Sequence, residues 1–140
     1  MNRMKLEFIS VSQNERFARS AASAFVLELD PTLQELSEIK TAVSEAVTNA
    51  IIHGYRGTTG TITMEGSIYN SIVELSIYDK GAGIADIDKA MEPMYTGAPD
   101  EERSGLGFTI MQTFMDELEV ESEPGMGTRI TMRKKIGSAG

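Results

Sequence analysis

Cysteine is absent from the 140 residues, which excludes disulfides, thiolate zinc sites and cysteine nucleophiles. No apolar run approaches the roughly 18 residues needed to span a bilayer, so no membrane association is expected. The N-terminus, Met1-Asn2-Arg3-Met4-Lys5-Leu6-Glu7, turns charged within a few residues and lacks the apolar core of a signal peptide. A cytoplasmic protein is the expectation. Positive charge is scarce: 13 Lys and Arg stand against 21 Asp and Glu, a net charge of -8. Such a surface repels phosphate backbones, so direct nucleic-acid binding is not expected. The one basic cluster, Arg129 to Lys135, alternates along a strand-like stretch, and Arg133, Lys134 and Lys135 read as a solvated edge and strand end. Repeats and low-complexity segments are missing as well. The length suits a single domain over 1–136, with 137–140 as a frayed tail.

What is present is a clear alternation of periods. Met4 to Val11 alternates as a strand. Ser12 or Asn14 is placed to cap a helix from about Glu15 to Leu29, with Phe17, Ala21, Ala24, Phe25 and Leu29 on its core face. Asp30-Pro31 breaks it. A second helix runs from near Thr32 to about His53, with Leu36, Ile39, Val43, Ala46, Val47 and Ala50 at helical spacing. Thr61 to Tyr69 and Ile72 to Tyr78 form a hairpin about Asn70-Ser71, which lacks the favoured glycine. A short helix is expected over Asp86 to Met91. Glu92 to Arg103 reads as a loop, Gly105 to Asp116 as a helix, and Leu118 to Glu123 with Thr128 to Lys134 as a closing hairpin. This order implies an α+β two-layer sandwich, with helices on one face of a mixed β-sheet.

Three short motifs carry the chemistry. Glu45 and Asn49 are four apart and share a helix face. A carboxylate one turn from an amide suits a magnesium–nucleotide site, the amide oxygen ligating the metal and the carboxylate accepting a proton; an exposed polar pair is the alternative. His53, one turn further, reads as a helix-end cap before Gly54. Asp79 ends a strand and is followed by Gly81 and Gly83. The glycines remove side chains so that a planar ligand can approach the backbone, and the carboxylate can accept from an exocyclic amine such as that of adenine; an ordinary Asx turn is the alternative. Ser104-Gly105-Leu106-Gly107 stands at an expected helix start, where first-turn amides bind phosphate, with Arg103 just upstream. No Walker lysine follows, and neither glycine pair completes a dinucleotide fingerprint.

At these residues the chain resembles the GHKL (Bergerat-fold) ATP-binding superfamily. Glu45-x-x-x-Asn49 is similar to its N box, Asp79-x-Gly81-x-Gly83 to its first glycine box, and Gly105-x-Gly107 to its second. Gly127-Thr128 resembles the late Gly-Thr element. Within the superfamily the chain looks most like the small anti-sigma serine kinases of sporulation. The resemblance implies ATP/ADP and Mg2+ as cofactors, with Glu45 as general base and Asn49 as magnesium ligand. Asp79 and Thr128 would hold adenine, and Gly81 and Gly83 would shape its pocket. Arg103, Ser104, Gly105, Leu106 and Gly107 would lie at the phosphates, with 92–104 as a lid. Tyr95-Thr96-Gly97-Ala98-Pro99 departs from the family by lacking a lysine near position 98. The implied partners are a sporulation sigma factor, an anti-anti-sigma protein that is phosphorylated on serine, and a second copy of the chain. Glu15 and Arg19 would form the surface shared by the two protein partners. The competing readings are a nucleotide-switched sigma-binding module and an ATPase without protein-kinase turnover.

Overall fold

A computed structural model describes residues 1–91 and 99–137, with side chains described outside 88–89 and 99–105. The chain opens with β1 (Asn2–Ile9), followed by α1 (Gln13–Val26) and one 3-10 turn (Leu27–Leu29). Neither expected cap forms: Ser12 makes no side-chain cap bond, and Asn14 Nδ2 donates to Ile9 O at 2.8 Å, tying the helix start to the strand end. Of the expected core stripe of α1, Ala21, Phe25 and Leu29 pack against the core, but Phe17 and Ala24 do not. Ala18, Ala22 and Val26 are fully buried, whereas Phe17 is 50% exposed. Small residues win the deepest positions because α1 must lie close to both α2 and the sheet. Gly66 of β2 leaves room for Phe25, whose Cε2 stands 2.9 Å from where a Cβ would be.

Asp30 adopts a left-handed conformation and ends the 3-10 turn. Thr32 then starts α2 (Leu33–Asn49) with a reciprocal capping box: its Oγ1 accepts from Glu35 N at 3.0 Å, and Glu35 Oε1 accepts from Thr32 N at 2.9 Å. Such a box stabilises a helix start by about 1 kcal/mol. The helix buries Ile39, Ala42, Val43, Ala46 and Val47. It does not stay α-helical to His53. A π-helical turn, Ala50–Gly54, closes it, a widening often found at functional sites.

The sheet has the order β1-β2-β3-β5-β4, with β2 Thr61–Tyr69, β3 Ile72–Asp79, β4 Glu117–Glu123 and β5 Gly127–Lys135. The expected two-layer α+β sandwich is found, and its four ladders are all antiparallel rather than mixed. Asn70 and Ser71 both take positive φ (51° and 64°), so the β2–β3 hairpin turns in the mirror-image geometry that matches strand twist even without glycine. Met64, Leu75, Ile77, Ile130 and Met132 fill the helix-facing side and meet α2 and α4 in one core. On the other face Arg133 binds Glu74, Glu117 and Glu119 at 2.6, 3.1 and 3.0 Å.

The basic cluster is therefore not on a sheet edge, although Lys135 is exposed and ends its strand as expected. β5 lies between β3 and β4, and Lys134 is only 11% exposed, donating to Phe114 O at 2.7 Å and facing Glu38 at 3.6 Å. Two further boundaries move. α3 is short (Ile87–Ala90), and α4 runs Pro99–Phe114, so it begins before Gly105. Pro99-Asp100-Glu101-Glu102 is itself a start signal, a proline at the first position followed by acidic residues in the first turn. Of the expected tail, Gly137 is held, its N donating to Glu35 Oε2 at 3.2 Å; 138–140 lie outside the described residues.

Candidate active site

The antiparallel register assembles one polar row at the end of an otherwise apolar sheet face. Asp79 of β3 pairs with Thr128 of β5, and Thr128 pairs with Ser122 of β4. Asp79 and Thr128 are 4% and 6% exposed. Ser122 Oγ donates to Gly127 O at 2.8 Å, lies 2.9 Å from Thr128 Oγ1 and accepts from Ile84 N at 2.7 Å. Asp79 Oδ1 accepts from Gly81 N at 2.9 Å. Burial pushes the Asp79 carboxyl up to about 6, against the opposing pull of the Gly81 and Thr128 amides. A buried acceptor with a raised pKa at the end of a strand is a strong recognition group for a planar donor.

The end of α2 closes over this row. A Cβ on Gly54 would stand 2.7 Å from Asp79 Oδ1, so only glycine lets the π-helical turn come down onto the carboxylate. The same contact revises the reading of Gly54 as a helix stop: the left-handed residues come later, at Arg56 and Gly57. His53 lies in the last turn, as expected of a cap residue, and its carbonyl accepts from Arg56 Nε at 3.2 Å.

Gly81 and Gly83 also differ from expectation. A Cβ on Gly81 would lie 2.0 Å from Gly54 O, and one on Gly83, at φ +74°, 2.0 Å from Glu123 O. The space freed at these glycines is taken by the protein's own backbone. It lets Ala82 N donate to Gly54 O at 2.7 Å and Gly125 N donate to Ala82 O at 2.6 Å. These bonds lock α2, the Asp79 loop and the β4–β5 turn into one frame. Tyr55 braces it, donating to Thr61 O at 2.6 Å and accepting from Lys80 N at 2.9 Å.

On the next turn back along α2, Glu45 and Asn49 are half-buried. Glu45 points at α4: a Cβ on Gly107 would be 3.2 Å from Glu45 Oε2. Folding thus brings the first and third sequence motifs into contact, with Asp79 of the second packed under Gly54 at the end of α2. Gly105 and Gly107 do not open a helix, as expected, but lie inside α4. Of the expected lid, 92–98 lie outside the described residues, as does the departure at Tyr95–Ala98. Ser104, Leu106 and Arg103 belong to α4, and Leu106 is 45% exposed. Glu15 and Arg19 sit together on α1, Arg19 Nε 3.8 Å from Glu15 Oε1.

Ser122 is the site residue that the sequence reading missed. Its signal was available, because Leu118 and Val120 are apolar on the inward-facing positions of β4 and Ser122 breaks that alternation where Asp79 breaks it on β3.

The fold, with this framed polar row at its end, is that of an ATPase domain. Residues 10–134 match the family described as histidine kinase-like ATPase domain. The catalytic domain of a histidine kinase, ThkA, superposes with a TM-score of 0.58 at 14% identity, covering 97% of both chains. A crystal structure of the RsbU and RsbW domains of a Mycobacterium tuberculosis protein gives a TM-score of 0.69 at 17% identity, over 97% of this chain and 32% of that one. Relatives with much higher identity are anti-sigma F factors. That of Thermoanaerobacter sp. (strain X514) is 57% identical and that of Clostridium kluyveri (strain ATCC 8527) 58%, each over 98% of this chain and 96% of the relative. The chain belongs to the anti-sigma F factor family of histidine kinase-like ATPase domains.

Proposed function

We propose that this chain is a cytoplasmic, homodimeric anti-sigma factor and protein serine kinase. It holds a sporulation sigma factor inactive and uses Mg-ATP to phosphorylate a serine on an anti-anti-sigma protein. The observation that carries the kinase half is the apposition of Glu45 on α2 with Gly107 on α4. It puts a carboxylate beside the glycine segment assigned to the terminal phosphates.

In this reading Asp79 accepts from the exocyclic amine of adenine, with Thr128 beside it, in the frame that Gly81 and Gly83 close. Arg103, Ser104, Gly105, Leu106 and Gly107 meet the phosphates. Glu45 takes the proton from the acceptor serine hydroxyl as its oxygen bonds to the γ-phosphorus and the β–γ bridge bond breaks, leaving ADP. Positioning and charge neutralisation supply most of the rate in such transfers.

The donor set fits magnesium. Asn49 offers one amide oxygen, and among the described residues no cluster of three His, Cys, Asp or Glu side chains is placed to cage a metal. Nucleotide-bound magnesium takes few protein ligands and keeps waters and phosphate oxygens. When bound it would neutralise charge on the phosphates. Glu15 and Arg19 form the docking surface for the two protein partners.

Incubation with γ-labelled ATP, with and without an anti-anti-sigma protein, tests the reading. Label on the partner's serine is expected. Release of free phosphate alone favours an ATPase, and no turnover favours a nucleotide-switched binding module. Glu45→Gln should cut transfer roughly 10²–10⁴-fold, the share of a general base, while leaving ATP bound. Transfer at the wild-type rate would remove Glu45 from the mechanism.

A further inference from the structure

Two adjacent residues of α2 face different neighbours. Glu45 meets α4 at Gly107. Ser44 faces α1, where its hydroxyl donates to Glu15 Oε1. That same oxygen is the one nearest Arg19, whose Nε lies 3.8 Å away. Ser44 and Glu15 are 29 residues apart in sequence, so the bond is a tertiary clamp between helices rather than a local turn. The helices bury Ala18 and Ala22 on α1 and Ala42 and Ala46 on α2, together with the branched Val26 on the one and Ile39, Val43 and Val47 on the other. Alanines pack closely but interlock weakly, so they resist rotation of α2 about its axis less than branched side chains would. A directional hydrogen bond to a charged group supplies what they lack.

We propose that Ser44 is a positioning residue that, through its bond to Glu15, ties the Arg19 surface to the Glu45 carboxylate. The inference rests on the kinase reading above for its consequence in rate, though not for the structural link itself. Side-chain tips lie about 5–6 Å from a helix axis, so a rotation of roughly 10° moves the Glu45 carboxylate by about 1 Å. A displacement of that size in a reacting group can cost up to about 10²-fold in rate. A partner carboxylate that engages Arg19 draws the guanidinium from Glu15 and changes the charge balance on the oxygen that holds Ser44. Docking on α1 is thereby felt at Glu45 through a small turn of α2.

The test uses the full chain with 13C-labelled glutamate, following the Glu45 carboxyl resonance alongside kcat, KM for ATP and thermal stability. Ser44→Ala removes the donor and Ser44→Thr keeps it. Ser44→Ala is expected to move the Glu45 resonance and lower kcat for transfer roughly 10-fold or more. KM for ATP should stay within about twofold, since the Asp79 frame is untouched, and Ser44→Thr should restore both readouts. A Ser44→Ala protein with an unmoved Glu45 resonance and wild-type kcat overturns the proposal. So does a loss spread equally over kcat, ATP affinity and stability that Ser44→Thr does not rescue. If the wild-type chain transfers nothing while the Glu45 resonance still moves in Ser44→Ala, the kinase reading falls and the Glu15–Ser44–Glu45 link stands.

Discussion

Replacing Asp79 with asparagine should strengthen the empty protein and weaken nucleotide binding, and the two effects should separate with pH. In the fold the Asp79 carboxyl is raised from its usual 3.8 to about 6 by burial. A carboxyl whose folded pKa is raised costs stability above that pKa, where it must ionise in a dry site. The cost vanishes below its unfolded value. Two units correspond to about 3 kcal/mol, accumulating between pH 3.8 and about 6 and fully present at pH 7.5. Asparagine removes that cost but brings an amide NH2 that needs an acceptor, so Asp79→Asn should gain about 1–3 kcal/mol at pH 7.5. For a domain of this size that raises Tm by roughly 4–10 °C. At pH 4 the wild-type carboxyl is already neutral in the fold, and the two proteins should melt within a few degrees of each other.

Binding should move the other way. The Gly81 amide, at Oδ1, and the Thr128 amide already bond the Asp79 carboxyl, and in the proposed complex the adenine amine is a further donor. Asparagine has a single acceptor oxygen, so one of these donors must face an NH2, at a cost of about 1–3 kcal/mol or roughly 10–100-fold in Kd. The wild-type protein should itself lose ATP affinity as pH falls through about 6, because the free carboxyl then holds a proton. Thermal melts at pH 4 and 7.5 with calorimetric ATP titrations at pH 7.5 check all of this. An Asp79→Asn protein that melts below wild type at pH 7.5, or that binds ATP equally well, refutes the reasoning.

Ser122→Ala deletes the acceptor for Ile84 N and the donor to Gly127 O; it should lower stability in urea by about 1–3 kcal/mol and weaken ATP binding more than an exposed-site control. Gly83→Ala places a Cβ 2.0 Å from Glu123 O at a positive φ and should destabilise by roughly 2–4 kcal/mol, read as an earlier denaturant midpoint. Gly105→Ala, inside α4, should add about 1 kcal/mol of helix stability to the empty protein. It should also raise the Kd for ATP, because the amides assigned to the phosphates are freed only when the start of α4 opens.

Much of the fold was legible because long periodic segments dominate it. The α2 stripe Ile39, Val43, Ala46 and Val47 was read correctly, and Thr32 with Glu35 gave the helix start its chemistry. The stripe of α1 was read only in part, Ala21, Phe25 and Leu29 correctly and Phe17 not, for a physical reason. Aromatic Phe17 looks like core on any hydrophobicity scale, yet a helix squeezed between a neighbouring helix and a sheet needs small residues at the point of closest approach. Local sequence does not reveal how close that approach is. Lys134 was misread for the same reason in reverse. A lysine at a strand end reads as solvated, and only the strand order, with β5 inside the sheet, shows that it must find Phe114 O and Glu38 instead.

The glycines of the site carry the deeper lesson. Their positions were readable, but their reason was not. At Gly81 and Gly83 the missing side chain makes room for Gly54 O and Glu123 O before any ligand arrives. A residue that clears a path for a ligand and one that lets two backbones meet look identical in sequence, because both demand only that nothing be attached to Cα. They differ in what substitution does. In the first case alanine spares the fold and costs affinity; in the second it costs the fold, and affinity follows. Gly83 belongs to the second class by its contact with Glu123 O. Gly107, whose nearest neighbour is the Glu45 carboxylate rather than backbone, falls outside that class: alanine there should leave the frame intact and act on chemistry instead.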